Sequence, residues 1–243
     1  MTVSRNQFPQ DFKWGVATSS FQIEGAHDRD GKGPSIWDTF CATDGKIADA
    51  SNGHVACEHY TRWPEDIELI SRMGVNAYRF SMSWPRVQPD GQGAWNEAGF
   101  VFYDQLISAL EKRGIELHLT LNHWDLPQSL QDQGGWANRD VCGHFTRYAT
   151  EVARRFGHRV HSICTHNEPW VIAILGYEQG IFAPGIQSKS QAVQAVHHLL
   201  LSHGMALQAM RGLGITTPMG IVLNLSPIYP ASDDPKDVAK AKL

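Results

Sequence analysis

Nowhere in the 243 residues does an uncharged apolar run reach the length that a bilayer demands, and Met1–Pro9 lacks the apolar core of a secretory leader. The expectation is a cytoplasmic protein with no membrane partner. Cysteine is scarce. Cys41, Cys57, Cys142 and Cys164 include no Cys-x-x-Cys pair and are too sparse for a disulfide framework, which fits a reducing compartment. Basic residues are outnumbered, 21 Lys and Arg against 25 Asp and Glu, and they form no stripe, so nucleic acid is excluded as a partner. No glycine-rich phosphate turn follows a strand, which argues against a doubly wound nucleotide-binding sheet. Metal-ligand spacing is confined to His54, Cys57 and His59, with no second cluster to complete a site, so neither metal nor cofactor is expected.

What the chain does contain is ordinary globular material, 42% hydrophobic and 19% charged, enough for one domain spanning residues 1–243. It also has a rhythm. A first strand begins at Phe12 and ends near Gly25, with Gln22 and Glu24 at its C-terminal end, and a long polar loop covers residues 31–53. A helix from about Cys57 to Met73 then carries Tyr60, Trp63, Ile67 and Ile70 on one stripe, stops at Gly74 and leads into a strand, Val75–Trp84. The pattern repeats. A helix bearing Tyr103, Leu106, Ile107 and Leu110 stops at Gly114 before the strand Ile115–Trp124, and a helix of about Val141–Phe156 stops at Gly157 before the strand Val160–Cys164. A last helix, about Gln191–Leu213, stops at Gly214 before Met219–Ser226. The remaining residues, 227–243, read as a proline-rich loop and the opening turn of a helix.

Strands alternating with helices imply parallel strands joined by crossovers. Polar and aromatic residues collect where the strands end: Gln22, Arg79 with Trp84, His123 with Trp124, Asn167 with Glu168, then Asn224. That is the rim on which a barrel of parallel strands carries its chemistry, so the fold class is α/β of the (β/α)8 TIM-barrel type. Only five strands are present. The barrel is therefore incomplete, the first four βα units plus the fifth strand. Within this frame Thr165-His166-Asn167-Glu168-Pro169-Trp170 stands out, because it sets a carboxylate at a strand tip between an amide and an aromatic plane, partners suited to a sugar. The proline after Glu168 predicts extended backbone for that residue.

Several motifs together resemble glycoside hydrolase family 1, the β-glucosidase family of retaining enzymes on a (β/α)8 barrel. They are Phe12-x-Trp14-Gly15-x-Ala17-x-Ser19-Ser20-Phe21-Gln22-x-Glu24-x-Ala26, Tyr78-Arg79-Phe80-Ser81-x-Ser83-Trp84, His123-Trp124-Asp125-Leu126-Pro127, Gly134-Gly135-Trp136 and Asn167-Glu168-Pro169-Trp170. The resemblance runs from about Phe8 to Pro230 and covers the N-terminal half of a family member. It implies that Glu168 is the general acid/base and that Gln22 and His123 hydrogen-bond the outer hydroxyls of the sugar. It further implies that Asn167 contacts the 2-hydroxyl, that Trp124 belongs to the same pocket, that Asn224 faces the leaving group, and that Arg79 keeps the second carboxylate ionised. The expected substrate is a small β-glycoside or oligosaccharide.

The family's nucleophile lies in an Ile/Val-Thr-Glu-Asn-Gly segment, and these residues contain none. The implied partner is the missing C-terminal half-barrel, without which the chain is expected to be inactive. A 6-phospho-β-glycosidase and a non-catalytic truncated half-barrel are the alternative readings. Glu24, Glu58 and Asp125 are expected to be supporting or loop carboxylates. Trp14, Trp37, Trp63 and Trp136 are expected in the core, and His197, His198 and His203 at the surface or an interface. His166 stands where the family more often has Leu or Phe, and is expected to pack inward.

Overall fold

The computed structural model describes residues 7–242; the stretch 1–6, most of the segment read for a leader, and residue 243 lie outside the described residues. Five strands form one parallel sheet in chain order: β1 (Gly15–Ala17), β2 (Ala77–Ser81), β3 (Glu116–Asn122), β4 (Ser162–Asn167) and β5 (Met219–Val222). Helices α3 (His59–Arg72), α5 (Glu97–Glu111), α7 (Val141–Phe156) and α8 (Lys189–Gly212) lie between successive strands. This is the expected alternation, within two residues of the expected helix bounds.

Burial explains why these segments hold their form. Helix α7 turns Cys142, Phe145, Tyr148, Ala149, Val152 and Phe156 inward at helical spacing, and α5 does the same with Phe102, Tyr103, Leu106, Ile107 and Leu110. Leu117, Leu119 and Leu121 of β3 and Ile163 of β4 meet them with no exposed surface. The glycines that precede the strands act as helix stops by conformation: Gly74, Gly114 and Gly214 all have φ between 66° and 77°. Gly157 stops its helix differently. Its φ is -58°, and a Cβ there would lie 2.5 Å from Ala153 O, so close packing and not handedness requires glycine.

Four sequence expectations are corrected. The first strand is only three residues long, and Gln22 and Glu24 belong to the turn formed by α1 (Ser20–Ile23) and its end. The Ser20 N–H is captured by Ser81 Oγ at 2.8 Å, which curls the chain away from the sheet. The loop 31–53 contains a helix, α2 (Ile36–Ala42), whose start is fixed by a capping box between Ser35 and Asp38. The fourth strand extends to Asn167, so Glu168 directly follows it, whereas the fifth ends at Val222 and leaves Asn224 beyond it.

Glu168 is not extended; its φ is 48°. Its N–H donates to Val222 O at 2.8 Å while its own carbonyl accepts from Val171 N at 2.9 Å, and satisfying both neighbours overrides the proline's local preference. Short elements that the sequence reading did not anticipate complete the rim side: α4 (Trp84–Val87), α6 (Gln128–Asp132), a 3-10 turn (Gly135–Ala137) and a π-helix (Val171–Glu178). The closing helix, α9 (Pro235–Ala241), fits the expected opening turn. No helix among the described residues is long and apolar enough to cross a membrane.

Candidate active site

Arg79, at the middle of the short strand β2, organises the network behind the rim. Its Nε donates to Thr120 Oγ1 on β3 at 2.9 Å and its Nη2 to Asn167 Oδ1 on β4 at 2.6 Å. With Oδ1 turned to Arg79, Asn167 has its amide hydrogens free to donate to an incoming hydroxyl. Trp124 is fixed from two directions. Its backbone N–H reaches Asn122 Oδ1 at 3.2 Å, and its indole Nε1 donates to Asn167 O at 2.9 Å, across a residue with φ 79°. Five residues, Arg79, Thr120, Asn122, Trp124 and Asn167, are thus locked in one network across β2, β3 and β4.

His123 lies beside this network, largely buried, with Nδ1 lacking a protein partner. Burial first, and the Arg79 charge second, push its pKa down to about 4, so the ring is neutral near pH 7 and presents one donor and one acceptor. Gln22 is exposed and accepts from Ser19 Oγ at 2.7 Å through Oε1, leaving its Nε2 hydrogens free. Gln22, His123 and Trp124 share a cavity of about 380 Å³ with Phe21, Trp37 and Phe182. Phe182 stands 5.5 Å from Trp37 and 5.8 Å from Trp124, centroid to centroid. Glu168 is half-buried at the end of β4, and its carboxylate has no hydrogen bond or ion pair among the described residues.

The structure brings Gln22, His123 and Trp124 together on the cavity wall and Arg79, Asn167 and Trp124 together in the network, with Trp124 common to both; Arg79, Asn167 and Glu168 are not part of that wall, and Glu168 directly follows Asn167 in the chain. Asn224 is exposed, two residues past β5, and outside that cavity wall. Trp37 packs against the core as expected and also forms a wall of the cavity, whereas Trp14 clusters with Phe8 and Phe12 away from the main core. Trp63 and Trp136 pack against or within the core as expected.

Two carboxylates support the rim from below. Glu24 accepts from Arg86 Nε at 2.8 Å and from the Tyr103 hydroxyl at 2.5 Å, all three buried. Asp125 accepts from Ser20 Oγ at 2.7 Å, and burial raises its pKa to about 6. Ser20 sits on the turn that bears Gln22, and Asp125 follows His123 and Trp124, so this bond joins two parts of the pocket. Glu58 is an exposed loop residue with φ 56°.

The histidines divide. His197 is exposed as expected, but His198 is buried with Nδ1 2.9 Å from Trp136 O, and His203 is half-buried with Nδ1 2.7 Å from Thr165 Oγ1. Both lie on the face of α8 that packs on β4 and the 3-10 turn. His166 packs inward as expected. His54 stacks on His27 at 3.7 Å while His59 Nδ1 pairs with Asp66, so the three residues of the faint metal spacing do not converge.

From the sequence, Tyr103 stands out only as part of a helix stripe and Ser20 only as part of the N-terminal motif, and neither Phe182 nor Arg86 stands out. Phe182 and Arg86 come from segments far from the motifs they serve, and nothing local marks them.

The model of glycosyl hydrolase family 1 matches residues 4–243. The chain belongs to that family. A family relative, β-glucosidase A of Acetivibrio thermocellus, is 48% identical over 241 residues, covering 99% of this chain and 54% of the relative. Among solved structures, virulence factor SghA from Agrobacterium tumefaciens superposes with a TM-score of 0.95 at 48% identity, covering 98% of this chain and 53% of that one; it has also been solved with its substrate analog salicin. A family 1 β-glucosidase from Thermotoga maritima superposes at 0.94 with 46% identity, covering 97% and 53%. The chain therefore spans about half the length of the relatives it matches, and its five strands are a partial (β/α)8 barrel.

Proposed function

We propose that this chain is the acid/base half of a retaining β-glycosidase acting on terminal β-linked sugars of oligosaccharides or aryl and alkyl glycosides. The observation that supports it best is the Arg79–Asn167–Trp124 lock, which fixes an amide and an aromatic ring at the residue that directly precedes Glu168, whose carboxylate has no partner among the described residues. Glu168 is the group that protonates the departing glycosidic oxygen and afterwards takes a proton from water. Gln22 and His123 hold outer hydroxyls, Asn167 the 2-hydroxyl, and the cavity with Trp124 receives the sugar. Asn224 faces the leaving-group side.

Retention requires a second carboxylate about 5 to 5.5 Å from the first, ionised while the first is protonated. That nucleophile lies in the length that the relatives have beyond the portion matched, and Arg79 stands where it would hold such a carboxylate ionised. The partner is accordingly the C-terminal half-barrel. Residues 1–243 form one partial domain, inactive alone. Salicin in the SghA complex supports an aryl β-glucoside as the first substrate to try. The four free thiols support a reducing, cytoplasmic setting.

The test is to assay an aryl β-glucoside with the chain alone and with the chain fused to the C-terminal portion of the Acetivibrio relative. The chain alone should show no turnover and the fusion should show it. Glu168→Gln in the fusion should lose about 10²–10⁴ in kcat with a poor alkyl leaving group, and far less in the first step with a leaving group that needs no proton. Equal loss on both substrates, or turnover by the isolated chain, overturns the assignment.

A further inference from the structure

His166 is buried completely, stacked on Phe145 at 4.4 Å and meeting Trp136 edge-on at 5.2 Å, a site that a phenyl ring would fill equally well. Its nitrogens nevertheless have defined partners. Asn122 Nδ2 can only donate, so His166 Nδ1, 3.0 Å away, accepts. The proton of the neutral ring is then on Nε2 and goes to Ser202 Oγ at 2.9 Å, while Ser202 donates its own to Leu199 O at 2.9 Å. The hydrogens on His166 Nε2 and Ser202 Oγ, and one of those on Asn122 Nδ2, thus have acceptors.

The Trp124 N–H anchors the Asn122 amide, because a backbone N–H can only donate and so requires Oδ1. Nδ2 then faces His166 Nδ1. The reverse orientation would set two acceptors against each other at His166 and two donors at Trp124, in a buried place where unpaired groups are costly. The neutral tautomer with its proton on Nδ1 would satisfy a reversed amide at His166, with Ser202 donating to Nε2, but it would set the Trp124 N–H against the amide hydrogens and take the Ser202 hydrogen from Leu199 O. The Trp124 turn is left-handed, a conformation that a bulky side chain holds only when its surroundings impose it.

We propose that His166 is a positioning residue for the sugar pocket: through Asn122 it holds the left-handed turn at Trp124, and α8 thereby reaches the rim by way of Ser202. The part that concerns sugar placement rests on the function proposed above; the hydrogen-bond direction does not.

The experiment uses the 243-residue chain and its variants His166→Phe and His166→Asn. Phenylalanine keeps the ring and loses the acceptor, whereas asparagine loses the ring but offers an acceptor near the place of Nδ1. Asparagine should lower the melting temperature more, because it leaves a cavity beside Phe145 and Trp136. Amide exchange at Trp124 should run in the opposite order, about tenfold faster in the Phe variant and near the parent rate in the Asn variant. Exchange that tracks melting temperature, or a Trp124 rate unchanged in the Phe variant, overturns the proposal.

Nitrogen NMR of the unsubstituted chain gives an independent reading, with His166 expected bare at Nδ1 and protonated at Nε2; the other tautomer also overturns it. In the fusion, His166→Phe should raise KM about three- to tenfold with kcat changed less than about twofold, and His166→Asn should restore KM. An unchanged KM beside faster exchange overturns the sugar-placing role. A wild-type fusion without turnover instead fails the proposed function, and the exchange and tautomer results still decide the proposal.

Discussion

His123 and Asp125 are two residues apart and are shifted in opposite directions by one cause, because burial disfavours charge whichever sign it has. His123 falls to about 4 and Asp125 rises to about 6. For His123 the unfolded chain binds the proton more readily, so its contribution to stability is complete above the ordinary histidine value and is lost as pH falls toward 4. For Asp125 the folded chain binds the proton more readily, so its contribution is complete below the ordinary aspartate value and is lost as pH rises through about 6. Asp125→Asn keeps the shape and can still accept from Ser20 Oγ. It should therefore stabilise the chain at pH 7.5 by roughly 1–3 kcal/mol, and by little at pH 4. Thermal melting at the two pH values checks this, and an equal shift at both would mean that Asp125 is already ionised in the folded chain.

Among the elements, α1, α4 and α5 are joined by the buried Glu24–Arg86–Tyr103 group, with the Arg86 guanidinium also 4.1 Å from the Tyr60 ring centre. A buried pair of this kind adds little compared with an apolar substitute, yet losing one partner strands the other's charge. Glu24→Gln should cost about 3–5 kcal/mol in denaturant unfolding, and a double change to Glu24→Leu with Arg86→Met should cost much less. If the two variants unfold at the same denaturant concentration, the pair is not what fixes the α1 turn. The turn itself was hidden in the sequence, where Phe12 to Gly25 looks like one continuous strand. Helix α2 was legible in principle, since Ser35 and Asp38 have capping-box spacing, but the surrounding Gly and Asp made the segment look like a loop.

For the whole molecule, the consequence of five strands is that β1 and β5 each have one neighbour in the sheet. After β5 the chain leaves Leu225 and Tyr229 each 80% exposed, with Ile228 at 68%, beside that open edge. An unpaired edge next to exposed apolar groups invites pairing between chains. The isolated chain should therefore self-associate at micromolar concentration, and Leu225→Lys with Tyr229→Lys should raise the monomer fraction in light scattering. The fusion with a relative's C-terminal portion should be monodisperse without those substitutions. A lone chain that stays monomeric and melts cooperatively would show that these edges are protected in another way.

The alternation of helix, glycine and strand was legible because each signal is local: a stripe of apolar residues at helical spacing, a left-handed stop at Gly74, Gly114 or Gly214, and a short apolar run. Most rim residues were legible for the same reason, since His123, Asn167 and Glu168 lie at or just past the ends of β3 and β4, within a few residues of where the apolar runs stop. The sequence by itself determined the order of those elements and the residues that follow β3 and β4, but not the tips of β1 and β5, where Gln22 and Asn224 lie off the strands. Only the tertiary structure decided the left-handed backbone of Glu168, set by Val222 on the next strand, and the orientation of Asn167, set by Arg79 from β2. It likewise decided the wall that Trp37 and Phe182 build around Trp124. These depend on which segments become neighbours in space, and local spacing along the chain holds no record of that.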